Sequence, residues 1–332
     1  MSALLVWGAG AIGGTVAAYL TRAGEDVLLV DAAHDHVDAI NAGGLAIEGP
    51  IETFTTAIPA VTPDAVRGRY DRILLCVKAQ HTAAATVQLA PHLTTDGYVA
   101  SFQNGLNEYV IAEMVGMARV LGAFLNFGAD YLGPGRITFS GRGATVLGEM
   151  DGVMTPRLTA LHALMRKFEP DAIATDNIVG YLWGKLGYGA LLFGTALTDD
   201  GIADVLADPR HRRVLVALGR EVMAVAAAKR IRPQGFNGFD PAAFAPGSDA
   251  DASMVDMVAF NRRSAKTHSG IWRDLAIRHR ETEVEAQLGP VAAAGREAGV
   301  PTPLVERVTA MIHEIERGER RLTRENLDEL AA

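Results

Sequence analysis

The chain contains 332 residues, which is too many for one ordinary hydrophobic core, so we expect two domains. Apolar residues make up 49% of it, as in a globular protein, and its net charge of −8 comes without the positive stripe that nucleic acid or a membrane surface would attract. The chain has one cysteine, Cys76, which excludes an internal disulfide. No apolar run reaches the roughly 20 residues of a membrane span. For these two reasons we expect a cytoplasmic protein.

Short apolar runs alternate with helical patterns along the first half of the chain. The runs lack polar alternation, which is typical of parallel strands buried on both faces; they are ALLVWG (3–8), VLLV (27–30), RILLCV (72–77) and YVASF (98–102). Helical patterns separate them, as at 13–23 and 82–89. This rhythm predicts an α/β domain over 1–175, a doubly wound parallel sheet of the Rossmann type. Cys76 is expected to be buried in it, and two further β patterns to add antiparallel strands at the sheet edge; these patterns lie at 136–140 and 144–148.

Helical periodicity dominates the second half, and no strand pattern interrupts it. The helical segments are 178–198, 201–230, 251–266, 277–300 and 302–316. We therefore predict an all-helical substrate and dimerisation domain over 176–332. The segment 233–247 is rich in Pro and Gly and is expected to be a surface loop, and the leucines of the charged tail 314–330 are expected to fold back on the domain.

A glycine motif follows the first predicted strand. It has the sequence Gly8-Ala9-Gly10-Ala11-Ile12-Gly13 and runs into a helix, the setting that a dinucleotide-binding motif requires. Gly8 would permit the turn, Gly10 would let a pyrophosphate approach, and Gly13 would let the helix pack closely on the strand. The N–H groups at the helix start, which include those of Ala11 and Ile12, would hold the phosphates. A Gly-rich turn without a ligand is the alternative.

Asp31 ends the second predicted strand, 18 residues after Gly13. A carboxylate at this position accepts hydrogen bonds from the adenosine ribose and repels a 2′-phosphate. The segment 32–36 contains no Arg or Lys, and its histidines, His34 and His36, are expected in a solvated loop. The sequence therefore predicts NAD rather than NADP, unless Asp31 is only a helix cap or a surface residue.

Four further segments and the closing pattern of the chain carry a family resemblance. The segments are CVKAQ (76–80), SFQNGL (101–106), WGKL (183–186) and ETEVE (281–285), and the closing pattern is IERG (315–318) followed by NL (326–327). With the N-terminal glycines, they make the chain resemble the ketopantoate reductase (2-dehydropantoate 2-reductase) family over essentially its whole length. The resemblance implies hydride transfer between a nicotinamide and C2 of a small 2-oxo or 2-hydroxy acid, and a homodimer.

The resemblance also implies roles for individual residues. Lys185, the only charged residue between Asp176 and Asp199, would be the proton donor. Asn104 would donate to the substrate or orient the lysine, and Lys78 would lie near cofactor and substrate. Glu283 would help hold the substrate and the lysine. The alternatives are a snorkelling surface lysine for Lys185 and a turn residue before glycine for Asn104. For Lys78 the alternative is a strand-end lysine without a ligand, and for Glu283 it is a surface glutamate.

A second group of residues is implied to line the substrate site. Ser269 corresponds to the family's substrate-contacting serine, although one extra residue separates it from Glu283. The adjacent His268 is a candidate auxiliary acid or base, or a carboxylate ligand. Trp272 is more typical of a core residue. No metal site is predicted.

The chain departs from the family pattern after Lys185. The family usually supplies two asparagines about four and eight residues after its lysine, whereas this chain has Gly189 and Phe193 at those positions. Losing polar donors predicts a changed substrate selectivity. Gly184, Gly187 and Gly189 indicate either close helix packing or a larger pocket.

Three hypotheses follow from this pattern. The first is an authentic ketopantoate reductase. The second is an NAD-dependent relative that oxidises a bulkier or less polar hydroxy compound. The third is a non-catalytic nicotinamide-binding sensor.

Overall fold

The computed structural model of the protein describes residues 3–264 and 266–332. The chain divides into two compact units, Met1–Ile178 and Val179–Ala332. The first is an α/β unit and the second is helical, as predicted.

The first unit contains strands that form two sheets, with helices packed on them. In the described chain the strands are β1 (Leu4–Trp7), β2 (Val27–Val30), β3 (Leu45–Glu48), β4 (Phe54–Thr56), β5 (Ala60–Val61), β6 (Tyr70–Leu75), β7 (Leu93–Ser101), β8 (Val120–Leu125), β9 (Gly128–Gly133), β10 (Arg136–Gly141), β11 (Thr145–Glu149) and β12 (Ile173–Ala174). Its helices are α1 (Ala11–Arg22), α2 (His34–Gly43), α3 (Thr82–Leu89), α4 (Asn107–Val115) and α5 (Pro156–Met165).

The main sheet has eight strands in the order β12-β11-β8-β7-β6-β1-β2-β5. β1 lies between β6 and β2 and pairs with both in parallel, and β7 and β8 continue the parallel pairing. The four predicted parallel strands correspond to β1, β2, β6 and β7, so the doubly wound sheet is confirmed. Ligands of such sheets bind beyond the carboxyl ends of the strands where the strand order reverses, which here is the end of β1.

The prediction for the two later β patterns is only half right. The pattern at 144–148 is β11, which pairs antiparallel with β8 in the main sheet. The pattern at 136–140 is β10, which belongs to a separate four-stranded sheet of order β4-β3-β10-β9. The reason is α1: Ile137 and Phe139 of β10 are fully buried in the core that α1 shares with the main sheet. α1 therefore has a sheet on either side.

Cys76 follows β6 directly. The sequence predicts a buried residue; it is partly exposed, and its reduced thiol packs against the core of the first unit. Burial raises the pKa of the Cys76 thiol. It behaves as the small apolar group that the sequence predicts.

The second unit is built from helices. In the described chain they are α6 (Ile178–Thr195), α7 (Ile202–Ala207), α8 (Pro209–Ala228), α9 (Asp251–Arg263), α10 (Gly270–Ala276), α11 (Val284–Ala298), α12 (Pro303–Glu316) and α13 (Glu325–Ala331). The single helix predicted at 201–230 is in fact two, because Asp208 caps α8 by accepting from Arg210 N–H and Pro209 stands in its first turn. The helix predicted at 277–300 begins only at Val284, and α10 is a short helix that the periodicity missed. Ala265, at the end of the helix predicted for 251–266, lies outside the described residues.

The segment 233–247 is not only a surface loop. Phe239 and Phe244 are buried in it, at 2% and 0% exposure, and their rings pack at 4.8 Å centroid distance. The tail behaves as predicted, since Leu327 and Leu330 on α13 are buried. Asn326 fixes it by donating from Nδ2 to the carbonyl oxygen of Leu197, 2.8 Å away. Within residues 3–264 and 266–332, no helix is long and apolar enough to cross a membrane.

Candidate active site

The glycine loop lies between the end of β1 and the start of α1. Gly8 has a φ of +105°, and a Cβ there would lie 2.8 Å from the backbone of Cys76 and Val77. A Cβ on Gly13 would lie 2.0 Å from the carbonyl oxygen of Gly8, whereas one on Gly10 would meet nothing within 4 Å. Two glycines are thus required by packing, and the third leaves the loop open on one side. Gly10 is the N-cap residue of α1 and no described side chain caps the helix, so this end of α1 suits a phosphate group.

Asp31 holds the glycine loop through its side chain. Its Oδ2 accepts a hydrogen bond of 2.8 Å from Ala9 N–H, and its Oδ1 accepts one of 3.0 Å from Ala33 N–H. The carboxylate therefore ties the end of β2 to the loop after β1. Each carboxylate oxygen can accept a further hydrogen bond. Sequence reasoning assigned Asp31 to the ribose and missed this positioning of the loop.

The prediction for His36 is wrong, because this residue is buried rather than solvated. It is 1% exposed, and its Nδ1 accepts from Gly135 N–H at 2.9 Å. Its Nε2 must then carry the proton, which it donates to the carbonyl oxygen of Ala9 at 2.9 Å. His36 is therefore neutral, and together with Asp31 it fixes both polar groups of Ala9. His34 is exposed, as expected, but both histidines lie in α2 rather than in a loop.

Lys78 and Asn104 follow the neighbouring strands β6 and β7. Because β1, β6 and β7 are parallel neighbours, both residues stand at the same edge of the sheet as the glycine loop. Gln103 joins the two strand ends: its Nε2 donates to the carbonyl oxygen of Val77 at 2.9 Å and to Thr82 Oγ1 at 2.8 Å. The carbonyl oxygen of Asn104 accepts from Asn107 Nδ2 at 2.6 Å. Sequence reasoning missed Gln103, although it lies inside the SFQNGL segment.

Lys185 is the only charged residue of α6, a helix of 18 residues. The neighbouring side chains Trp183 and Leu186 are buried at 2% and 1% exposure, while Lys185 itself is half-buried. An otherwise apolar helix thus carries one ammonium group at intermediate depth. Such a position is more typical of a lysine that binds a ligand or reacts than of a lysine on a solvated helix face.

The glycines of α6 divide between the two alternatives that the sequence leaves open. A Cβ on Gly184 would lie 1.9 Å from the carbonyl oxygen of Gln234, and one on Gly187 would lie 2.7 Å from Met223 and Phe239 side-chain atoms. These two glycines permit close packing. Gly189 differs, because a Cβ there would meet only Gln287 Oε1, at an ordinary 3.6 Å.

The remaining predicted substrate residues occupy different environments in the second unit. Phe193 is fully buried in the core and has no surface to offer a substrate. Ser269 is 5% exposed and caps α10, since its Oγ accepts from Trp272 N–H at 3.1 Å. His268 is half-buried and stacks on Trp272, with ring centroids 4.0 Å apart. Trp272, expected in the core, is half-buried, and its Nε1 donates to Asp199 Oδ1 at 3.0 Å.

Glu283 is the N-cap residue of α11, and the residue before it, Thr282, is hydrogen-bonded to α12. Thr282 donates from its backbone N–H and its Oγ1 to Glu316 Oε1, at 2.7 and 2.8 Å. His313 Nδ1 lies 2.7 Å from Glu316 Oε2, and its Nε2 lies 3.4 Å from Glu285 Oε2. Burial alone would lower the pKa of His313, but the carboxylates of Glu316 and Glu285 outweigh it and raise the pKa. The last turn of α12 thus anchors the loop that carries Glu283.

Two models of one family match most of the chain. The model described as "Ketopantoate reductase PanE/ApbA" matches residues 4–152, and the model described as "Ketopantoate reductase PanE/ApbA C terminal" matches residues 177–316. The chain belongs to the ketopantoate reductase family. It is therefore an oxidoreductase of the ketopantoate reductase type, and the resemblance inferred from the sequence segments is confirmed.

Individual relatives of this ketopantoate reductase family member agree over nearly the full length. A 2-dehydropantoate 2-reductase of Mesorhizobium japonicum is 28% identical over 340 residues, covering 95% of this chain and 98% of the relative. A crystal structure of a PanE/ApbA family ketopantoate reductase from Ralstonia eutropha has a TM-score of 0.81 at 25% identity, covering 96% of this chain and 99% of that one. D-Mandelate dehydrogenase, solved with NADH and anilino(oxo)acetate, shares the fold with a TM-score of 0.82 at 22% identity and the same coverage.

Proposed function

We propose that the protein is an NAD(P)H-dependent oxidoreductase of the 2-dehydropantoate 2-reductase type that acts at C2 of a small 2-oxo or 2-hydroxy acid. The observation that carries the proposal is the lone charge of α6, Lys185, in the WGKL segment of a chain whose relatives include 2-dehydropantoate 2-reductases. Reduction of a ketone needs a positive charge and a proton at the carbonyl oxygen, where negative charge develops. The ammonium group of Lys185 supplies both, and in the reverse direction the neutral amine accepts the proton.

The first unit is proposed to hold the cofactor through the glycine loop (Gly8–Gly13), Asp31, Lys78 and Asn104. The open side of Gly10 and the N-terminal end of α1, which no described side chain caps, fit a pyrophosphate group. A bound nicotinamide supplies the hydride.

We assign NAD rather than NADP as the preferred cofactor. Asp31 places a carboxylate at the end of β2, and His36, the histidine nearest the loop, is held neutral by its two hydrogen bonds. No Arg or Lys follows in 32–36 to neutralise a 2′-phosphate. An NADPH preference in Michaelis constants would contradict this assignment.

The second unit is proposed to hold the substrate beside Lys185. In this proposal Glu283 orients the substrate and the lysine, and the buried hydroxyl of Ser269 and the half-buried ring of His268 contact a carboxylate or hydroxyl group. Gly189 adds an uncrowded stretch of helix surface one turn beyond Lys185. The buried Phe193 forms the core behind it.

The open space at Gly189 favours a second candidate function. An NAD-dependent dehydrogenase of the same family, working in the oxidative direction on a bulkier or less polar hydroxy compound, would use space that an asparagine side chain would fill. The third candidate, a nicotinamide-binding sensor without activity, would not need a lysine on α6.

The decisive experiment measures cofactor turnover. Purified protein is assayed with NADH and NADPH on ketopantoate and a panel of 2-oxo acids, and with NAD on the matching hydroxy acids. We expect turnover that falls by about a thousandfold or more in Lys185→Ala, because a proton donor and a charge are both lost. The control is Lys229→Ala, which removes an exposed lysine paired with Glu297.

The outcomes separate the candidates. Efficient ketopantoate reduction identifies the first function, and turnover only of bulkier hydroxy acids identifies the second. Silence across the panel with NADH binding intact would leave the sensor. Equal activity of Lys185→Ala and wild type would refute the role of the lysine. The predicted homodimer is checked separately, by measuring the molar mass in solution with size-exclusion chromatography and light scattering.

A further inference from the structure

Gln287 on α11 lies over the position where α6 lacks a side chain. Outside the backbone of α6 itself, a Cβ built on Gly189 would meet one atom of the described residues within 4 Å, Gln287 Oε1 at 3.6 Å. The amide of Gln287 therefore reaches to the edge of the space that a longer side chain at position 189 would occupy. The family's asparagine is missing from α6, but an amide from another helix is next to its place.

The amide of Gln287 has no hydrogen-bond partner among residues 3–264 and 266–332. The residue is only 9% exposed, and its hydrogen bond within the described chain is made by the backbone, from its N–H to the carbonyl oxygen of Glu283 at 2.9 Å. The remaining exposure leaves this amide open to solvent, and a side-chain amide without a protein partner is free to bind another polar group. A ligand that offers an acceptor and a donor would satisfy this one.

The surroundings of Gln287 fit a substrate ligand. Glu283 lies one helical turn before Gln287 on α11, and Lys185 lies one turn before Gly189 on α6. Gln287 Oε1 thus lies beside the open side of Gly189, at a level of the two helices that is one turn from each of the proposed catalytic residues. A small polar molecule held by Lys185 and Glu283 would have the amide within its neighbourhood.

We propose that Gln287 is a substrate-binding residue that supplies, from α11, the amide that α6 lacks at Gly189. Its N–H groups donate to a carboxylate or hydroxyl oxygen of the 2-oxo acid, and its Oε1 accepts from a hydroxyl group. This role rests on the proposed function. Because the amide approaches from a different helix, it selects for a different placement of the substrate's polar group than an asparagine on α6 would.

The first test removes the amide. Gln287→Ala, and Gln287→Met as a variant that keeps the length of the side chain, are assayed with the best 2-oxo acid of the panel. We expect the KM for that acid to rise about tenfold or more in both, while the dissociation constant for NADH stays within twofold, because only the substrate loses a hydrogen-bond partner. Gln88→Ala, which removes an exposed glutamine from α3, is the matched control.

The second test moves the amide to α6. Gly189→Asn has room for its Cβ, but its amide competes with that of Gln287 for the same space, so the single variant is expected to lose activity. In Gly189→Asn with Gln287→Ala the competition is gone, and kcat/KM is expected to recover to within about threefold of wild type. This non-additivity is the signature of two side chains that serve one space.

The outcomes are distinguishable. Wild-type silence with every acid would overturn the proposed function and this role with it. Wild-type turnover combined with an unchanged KM in both Gln287→Ala and Gln287→Met, each with a normal melting transition, would overturn the role of Gln287 alone. If Gln287→Ala fails to fold, the KM of Gln287→Met decides. Additive losses in the double variant would also count against the proposal.

Discussion

The loop after β1 and the helix pair α6 and α11 carry the residues that we propose for cofactor and substrate binding, but they use different parts of the chain. The function of the loop depends on backbone groups: Gly8 and Gly13 leave no room for a Cβ, and the N–H and C=O of Ala9 are held by Asp31 and His36. The helix pair works with side chains, and a group missing at Gly189 is matched by one from Gln287 on another helix. Backbone geometry fixes the residue type at each position, whereas a side-chain function can move between helices.

Substitution of Gly13 is expected to have the largest effect on stability, and it tests whether the loop after β1 depends on its backbone. In Gly13→Ala the new Cβ would lie 2.0 Å from the Gly8 carbonyl oxygen, so backbone must move, and we expect a loss of about 2–4 kcal/mol in the free energy of unfolding. Gly10→Ala should keep wild-type stability, because its Cβ meets no protein atom within 4 Å. It should weaken NADH binding, because the Cβ would occupy the open side of the loop that we propose for the pyrophosphate. Chemical denaturation and NADH titration of both variants check this. Equal stability of the two variants would show that the loop tolerates side chains.

A similar difference explains what the sequence could predict. β1, β2 and the glycine loop are visible because strand burial and the glycine spacing are local patterns. The sheet around β10 and the burial of His36 depend on partners far along the chain, such as Gly135 N–H, 99 residues from His36. The split between α7 and α8 had a local signal, Asp208 followed by Pro209, which helical periodicity concealed.

The candidate site shows the same limit. Family motifs locate Lys185 and Glu283, because the chain keeps those residues at the expected positions. Gln287 lies in no such motif, and its relation to Gly189 exists only once α6 and α11 are packed. Sequence reasoning registered the loss of the asparagine but had no means of finding the neighbouring amide.

The anchor of the Glu283 loop provides a test of intermediate size in the second unit. Glu316→Ala would leave Thr282, which is 7% exposed, without the carboxylate that accepts two hydrogen bonds from it. We expect a loss of about 1–3 kcal/mol in the free energy of unfolding and a lower kcat/KM for the 2-oxo acid. Both are measured beside Glu306→Ala, which removes an exposed ion pair with Arg296 and should cost less than about 1 kcal/mol.

Glu316→Gln distinguishes geometry from charge at the same position. The Gln amide oxygen can still accept from Thr282, so stability and turnover should return toward wild type. If Glu316→Ala leaves hydrogen exchange at Thr282 and Val284 unchanged, the carboxylate does not hold this loop.

The smallest expected effect concerns the histidine beside that anchor. Glu316 on its own helix and Glu285 on α11 face His313, and despite the opposing effect of burial they raise its pKa above 6.5. A raised folded-state pKa means that the stabilisation is complete below the unfolded value of about 6.5 and is lost as the pH rises through the folded value. Because the His313 side chain is 36% exposed, solvent screens the pairs, and we expect less than about 1 kcal/mol.

The measurement compares urea unfolding of wild type and His313→Gln at pH 6 and pH 9. The wild type should be more stable at pH 6, and the difference should vanish at pH 9, whereas His81→Gln, which changes an exposed histidine, should show no such dependence. A difference that persists at pH 9 would mean that His313 contributes through packing and neutral hydrogen bonds. In that case the loop before α11 would be held by uncharged contacts, as the loop after β1 is held by the neutral His36. The two regions would then differ less in how they are stabilised.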